Sequence, residues 1–346
     1  MAKRRGHGAG GIYQRESDGK WCASVDLGFV HGKRRRKVIY GMTRNEVTDK
    51  LKAIHRDQAA GINVATGRQT VKAFLERWLE VSKQRNKTRT YEGYDRIVAL
   101  YLVPHLGHIM LGKLTPEHVQ TMIDILALAP NTVRNIRAVL RRATNQALKW
   151  ELVSRNVATL VETPRITQEE MSALDEQQAR ALLRVLKGDR LEALYRVALS
   201  LGLRRGEVLG LRGQDIDFDT ATLRIAQTVQ RTRTQGLIID TPKTKSSLRT
   251  LSIPPVLLSV LKRYRSRQEG EGIDNPHDLV FISTTGTPLE PDNITHRFKA
   301  FAKAAELPDD IHFHSLHHSC ATLLLAQGLP MYVVKDILGM IRSVRR

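Results

Sequence analysis

From Val71 to Ala147 the apolar residues return every three or four positions, and this period constrains the fold more than any other feature of the chain. Val71, Phe74, Leu75 and Trp78 form one stripe, and Val119, Met122, Ile123 and Leu126 a second. Val133, Ile136, Leu140, Ala143 and Ala147 form a third. Such spacing puts side chains on one face of an α-helix and does not fit the two-residue alternation of a half-buried strand. Helices with one apolar stripe must bury it against one another, so a helical domain is expected over residues 68–165. Its helix starts are local: Thr115-Pro116-Glu117 sets a capping side chain before a proline at the first helical position. Asn131 is expected to cap the helix carrying the third stripe.

The flanking segments follow other rules. Residues 11–15, 21–27 and 33–40 read as strands joined at the turn signals Asp18-Gly19 and His31-Gly32. Thr43, with Glu46 three residues on, announces a capped helix. Beyond residue 170, Asp175 and Gln178 form a second capping pair, followed by an apolar face of Ala179, Leu182, Leu183 and Leu186. Another apolar helix runs to about Leu201. Residues 222–230 and 248–253 read as strands, with turns at Gly236 and over 243–247; the rest is helical. Linker composition at 61–67 and 161–168 divides the chain into segments 1–62, 68–165 and 170–346. The expected fold class is multidomain α+β: a small β-rich N-terminal domain, a helical domain, and a mostly helical domain with a small antiparallel sheet.

Composition narrows the function. With 41% hydrophobic residues in 346, the chain can bury sizeable cores, which excludes a wholly disordered protein. No stretch reaches the roughly 18 uninterrupted apolar residues of a spanning helix. The richest, 321–334, is broken by Gln327, Gly328 and Pro330. The basic start has no apolar run behind it and is not a secretory signal. Two cysteines far apart, Cys22 and Cys320, suit a reducing compartment, and a cytoplasmic location is expected. The formal net charge is +20 and is unevenly spread: residues 1–60 hold 14 Lys/Arg against 6 Asp/Glu, residues 61–165 hold 16 against 8, and the rest 25 against 21. Such an excess favours a polyanion, because each neutralised phosphate releases counterions. A membrane surface would want basic amphipathic helices with bulky apolar faces, which is a different pattern. Candidate phosphate-binding residues are Lys33, Arg34, Arg35, Arg36 and Lys37, expected on one face of a sheet that can lie in a DNA groove, and Arg134, Arg137 and Arg141 beside the third helical stripe.

Three motifs carry chemistry. In Gly202-Leu203-Arg204-Arg205-Gly206-Glu207, an Arg projects from a turn and the Glu folds back from the new helix to orient it. In Pro242-Lys243-Thr244-Lys245, a turn presents Lys243. In His312-Phe313-His314-Ser315-Leu316-His317-His318, four His cluster at a helix start. His314 and His318 share a helix face, so a metal site must be weighed. A zinc protease pattern would want Glu where Ser315 stands, and Cys320 has no second Cys nearby, so no metal is expected.

Together, in this order and spacing, the three motifs resemble the tyrosine recombinases of the phage-integrase type. The resemblance covers residues 65–340 well and extends to an arm-type DNA-binding domain before them. It implies metal-free, cofactor-free strand exchange on double-stranded attachment-site DNA. A Tyr attacks the phosphodiester, cations hold the non-bridging oxygens, and an acid serves the leaving oxygen. Residue by residue, it gives Arg204 the first-arginine role, Glu207 its support, Lys243 the hairpin acid and His314 the opening of the second motif. His317 stands where the family has its second Arg, and Met340 where it has His or Trp. The tail after Met340 reads as truncated or frame-shifted, without the nucleophilic Tyr; Tyr332 lies too early and is expected to pack. Three outcomes follow: DNA binding without cleavage by the chain alone, activity complemented in trans within a homo- or hetero-tetramer on DNA, or a non-enzymatic DNA-binding regulator.

Overall fold

The computed structural model describes residues 11–30, 33–59, 69–166, 172–241 and 248–339, with backbone alone for 27–30, 33–35 and 56–59. The chain divides into two compact units, Met1–Thr167 and Gln168–Arg346. The fold is the mixed α+β type expected.

In the first unit, β1 (Ile12–Gln14), β2 (Trp21–Val30) and β3 (Lys33–Gly41) form an antiparallel sheet in sequential order. One face is covered by α1 (Arg44–Ala59): Ala23, Val25 and Ile39 from the sheet meet Val47 and Ile54 from the helix. Thr43 Oγ1 accepts the Glu46 amide at 3.2 Å, while the Glu46 carboxylate reaches one residue further back, to the Met42 amide at 2.8 Å. The expected one-sided row of cations does not form. Successive strand residues point to opposite faces, so Arg36, opposite Asp26, shares the open face with Val38 and Tyr40. Lys37, opposite Val25, belongs to the helix-covered side. Both are exposed.

A second, separate apolar cluster in this unit belongs to the helices α2 (Val71–Arg85), α3 (Thr88–Ile97), α4 (Val103–Leu106), α5 (Pro116–Ile125) and α6 (Pro130–Lys149). The predicted stripes are the buried ones: Val71, Phe74, Leu75 and Trp78; Val119, Met122 and Ile123; Val133, Ile136, Leu140, Ala143 and Ala147. Leu126 is half-buried. A wide π-turn, Val98–Leu102, separates α3 from α4. Pro104 explains it, because its ring nitrogen cannot donate and would crowd the carbonyl one turn back. Asn131 is not a cap: Pro130 takes the first helical position after Ala129, and Asn131 lies inside the first turn.

In the second unit, the helices are α7 (Glu176–Val185), α8 (Glu192–Leu201), α9 (Arg205–Leu209), α10 (Pro255–Glu271), α11 (Pro291–Ala304), α12 (Ser315–Ala326) and α13 (Met331–Ile337). Three strands, β4 (Ile216–Asp217), β5 (Thr222–Ile225) and β8 (Arg249–Ser252), form an antiparallel sheet in that order. The predicted strand 222–230 is in fact two: β5 ends, and β6 (Thr228–Thr232) pairs with β7 (Gly236–Asp240) as a separate hairpin. Gln327 ends α12 and Pro330 opens α13, two of the three breakers that interrupt the apolar run. Tyr332 does not pack as expected; it is 62% exposed on α13.

Asp175 caps α7 reciprocally with Gln178, at 2.7 and 3.1 Å, and the neighbouring Leu174 amide donates to buried Ser319 Oγ at 2.8 Å. The cap thus sits where α7 is tied to α12, the helix of the His motif. Asp175→Ala is expected to cost about 1 kcal/mol, read as a lower urea midpoint at unchanged slope; an unchanged midpoint would contradict the role of the cap.

Candidate active site

Helix α8 is buried almost throughout and stops at Gly202, whose φ of +60° is left-handed. A residue with a side chain resists this conformation, so glycine turns the chain sharply here. Leu203 returns to the core and Arg204 emerges as the residue capping α9. Glu207, 3% exposed, folds back to it. The Arg204 amide donates to Glu207 Oε2 at 3.0 Å and its Nη1 to Oε1 at 3.1 Å. This is the arrangement that the Gly-Leu-Arg-Arg-Gly-Glu spacing suggests. Arg205 turns away, donating to the Pro291 carbonyl at 3.0 Å and Thr295 Oγ1 at 2.6 Å on α11, so the two adjacent arginines have different tasks.

A third charged group completes the cluster, one that the sequence motifs do not single out. Arg249, at the start of β8, donates to Glu207 Oε2 at 3.1 Å and, more loosely, to Oε1 at 3.4 Å. Its Nε donates to the Ile337 carbonyl of α13 at 2.7 Å. Side-chain exposure is 7% for Arg249 and 4% for Glu207, against 37% for Arg204. A buried carboxylate therefore carries two cations, and only one of them reaches solvent. A signal was present in the sequence: Leu251 and Ile253 point inward, and a period of two puts Arg249 on the same face.

His314 immediately precedes the first turn of α12 and is exposed, whereas His317 lies one turn in and is buried. Their rings stack with centroids 5.5 Å apart, and the His318 ring stands perpendicular to His314 at 4.9 Å. His317 Nδ1 lies 2.5 Å from the Gly202 carbonyl. A carbonyl only accepts, so Nδ1 carries the proton and, in the neutral ring, Nε2 carries a lone pair. Burial is the main reason that the His317 pKa is pushed down to about 4. Arg204 and His314 push the same way, against the Gly202 bond and Glu207. His314, although exposed, is lowered by partial desolvation of its ring and by the neighbouring His318, His312 and Arg204, and His318 is lowered chiefly by burial. The three rings are thus neutral near pH 7 and lie beside a permanent cation. His317 differs from an arginine in both charge and donor number.

Cys320 packs beneath this site, its thiol 3.6 Å from the Ser200 carbonyl and its pKa pushed up to about 12 by burial, so it is unreactive. Among the described residues, no three His, Cys, Asp or Glu side chains converge as metal ligands. Lys243 and Met340 lie outside the described residues. So do the side chains of Lys33, Arg34 and Arg35. On α6, Arg134 and Arg141 are exposed, but Arg137 is half-buried and donates to the Ala158 and Thr159 carbonyls at 2.9 and 3.2 Å, which ties it to the bundle.

Known proteins share this organisation. Residues 172–342 match the phage integrase family, and residues 70–127 match the phage integrase N-terminal SAM-like domain. An integrase from Streptomyces ambofaciens is 30% identical over 98% of this chain and 91% of its own length. The ICEBs1 integrase of Bacillus subtilis is 26% identical over 93% and 90%. Among solved structures, the Tn1549 transposon integrase in complex with transposon right end DNA aligns at TM-score 0.69 and 19% identity, covering 78% of this chain and 91% of that one. A lambda integrase dimer bound to a COC′ core site aligns at 0.62 and 17%, covering 99% and 95%. Both structural likenesses concern the fold. On the strength of the family matches and a relative 30% identical across nearly its whole length, the chain belongs to the phage integrase family.

Proposed function

We propose that the chain is a site-specific DNA recombinase of the integrase type. In this proposal it binds double-stranded attachment-site DNA of a phage or mobile element in the cytoplasm, as part of a multimer on the DNA. The observation that carries it is Arg204: a permanent cation held half-exposed by a buried carboxylate, beside three neutral imidazoles. Phosphoryl transfer needs a fixed cation on the non-bridging oxygens as charge builds there. Arg204 fills that role, Glu207 orients it, His314 offers a ring nitrogen at the same site, and Lys243 is the proposed acid. The exposed Arg36, Lys37, Arg134 and Arg141 supply further phosphate contacts.

Strand cleavage by the chain alone is proposed to fail. Where a second guanidinium would add charge and two donors, His317 offers a neutral ring whose one proton is already given to the Gly202 carbonyl. The transition state then has one fixed cation fewer. Whole chain mixed with duplexes from a random library is expected to retain a subset, with an affinity that falls steeply as salt rises. On nicked suicide duplexes of that subset it is expected to form no covalent adduct by denaturing gel. An adduct would refute the proposed failure to cleave; salt-insensitive binding, or none, would refute the DNA proposal itself.

A further inference from the structure

The carboxylate of Glu207 is shared by two guanidinium groups, and the burial of the three side chains is unequal. Arg204 and Arg249 each contribute one positive charge and Glu207 one negative, so the triad carries a net single positive charge. Arg249 is 7% exposed and Glu207 4%, so the part of the triad facing solvent is Arg204. Without Arg249, Arg204 and Glu207 would form a neutral pair. A guanidinium that is the sole cation beside a buried carboxylate is drawn to both of its oxygens in a fork, even where a backbone amide already donates to one of them, as the Arg204 amide does to Glu207 Oε2. Arg204, whose Nη1 now reaches Oε1 alone, would then turn inward and face a phosphate as half of a closed ion pair.

We propose that Arg249 is a positioning residue. By satisfying Glu207 from the buried side, it leaves the charge and donors of Arg204 available to a DNA phosphate. This inference rests on the recombinase proposal and deepens it, because Arg249 acts through Arg204 and touches no substrate. The bond from Arg249 Nε to the Ile337 carbonyl, 2.7 Å long, fixes its guanidinium plane from the other side. Position along β8 sets its direction, and the last turn of α13 sets its orientation. The carboxylate that holds Arg204 is therefore braced by α13, through Ile337, 88 residues from Arg249 in sequence.

The test is phosphate ethylation interference on a duplex selected by the whole chain, with thermal unfolding of every variant as a fold check. In the parent chain, Arg204→Ala should erase interference at one phosphate and leave the flanking ones. Arg249→Met, with Arg249→Gln as a second neutral variant, should weaken interference at the same phosphate about tenfold, the size of one charge-assisted hydrogen bond. Arg249→Lys, which keeps the charge, should retain it. The decisive variant is Arg249→Met with Glu207→Gln: removing the carboxylate together with its buried partner should return interference at that phosphate to the parent level. A purely structural role predicts the reverse, with the double variant as weak as the single or weaker, and that result would overturn the proposal. So would unchanged interference in both neutral variants. If Arg204→Ala leaves every phosphate unchanged, the recombinase site itself has failed, a distinct outcome from failure of Arg249 alone.

Discussion

Gly202→Ala is expected to destabilise the second unit by about 3 kcal/mol, which combines the cost of a left-handed alanine with that of overpacking a closed core. Two independent effects meet at this residue. Its φ of +60° disfavours any Cβ. A Cβ built there would also press into the side chain of fully buried Leu338, and would lie 3.1 Å from Cys320 Sγ and 3.2 Å from Cys320 Cβ. Leu338 packs with Cys320 and Val334 in a small cluster between α12 and α13, so its methyl group has little room to move.

A control separates the two effects. Gly188 has a φ of +86°, and a Cβ there would meet nothing within 4 Å. Gly188→Ala should therefore cost only about 1 kcal/mol, from backbone strain. Urea denaturation of the whole chain reads both values. Equal losses would mean that the packing against Leu338 and Cys320 contributes nothing. The substitution should also weaken duplex binding beyond its effect on stability, because Gly202 turns the chain into Arg204 and gives its carbonyl to His317.

Much of this arrangement is legible from residue spacing. The stripes Val71–Trp78 and Val133–Ala147 are buried where the helical period places them, and Glu207 reaches Arg204 across the three-residue interval of a helix start. What escapes depends on partners distant in sequence. Arg249 meets Glu207 across 42 residues, and no local rule names that partner, although the inward register of β8 shows that a buried cation needs one. The Gly202 carbonyl meets His317 across 115 residues. Other expectations fail through neglected local physics. A run of five cations cannot share one face of a strand that alternates, and Pro130 outcompetes Asn131 for the start of α6. The apolar company that Tyr332 keeps in sequence points to packing, but α13 is short and buries mainly Val334, leaving the phenol ring outside.

The His317 ring leads to the second large effect, an acid lability built into the site. The unfolded chain takes up a proton on this residue at its ordinary pKa of 6.5, whereas the folded chain resists until about 4. Between these values unfolding binds one more proton than the native state holds, so stability falls as pH falls. The contribution of neutral, buried His317 is fully present above pH 6.5, is lost progressively down to about 4, and changes no further below that. The total is about 3 kcal/mol, each pH unit in the window being worth about 1.4 kcal/mol. His314 and His318, also lowered by desolvation and neighbouring charge, act with the same sign. His317→Asn separates the residue from its neighbours: the amide can still donate to the Gly202 carbonyl but does not titrate. The variant should be less stable at pH 7, because a smaller side chain leaves a void, yet its unfolding free energy should fall by about one proton's worth less per pH unit between 6.5 and 4. Parallel pH profiles for the two chains would show that His317 is not buried in its neutral form. A converging pair would show that His317 stores stability through staying uncharged, which is the property that makes it a poor partner for a phosphate.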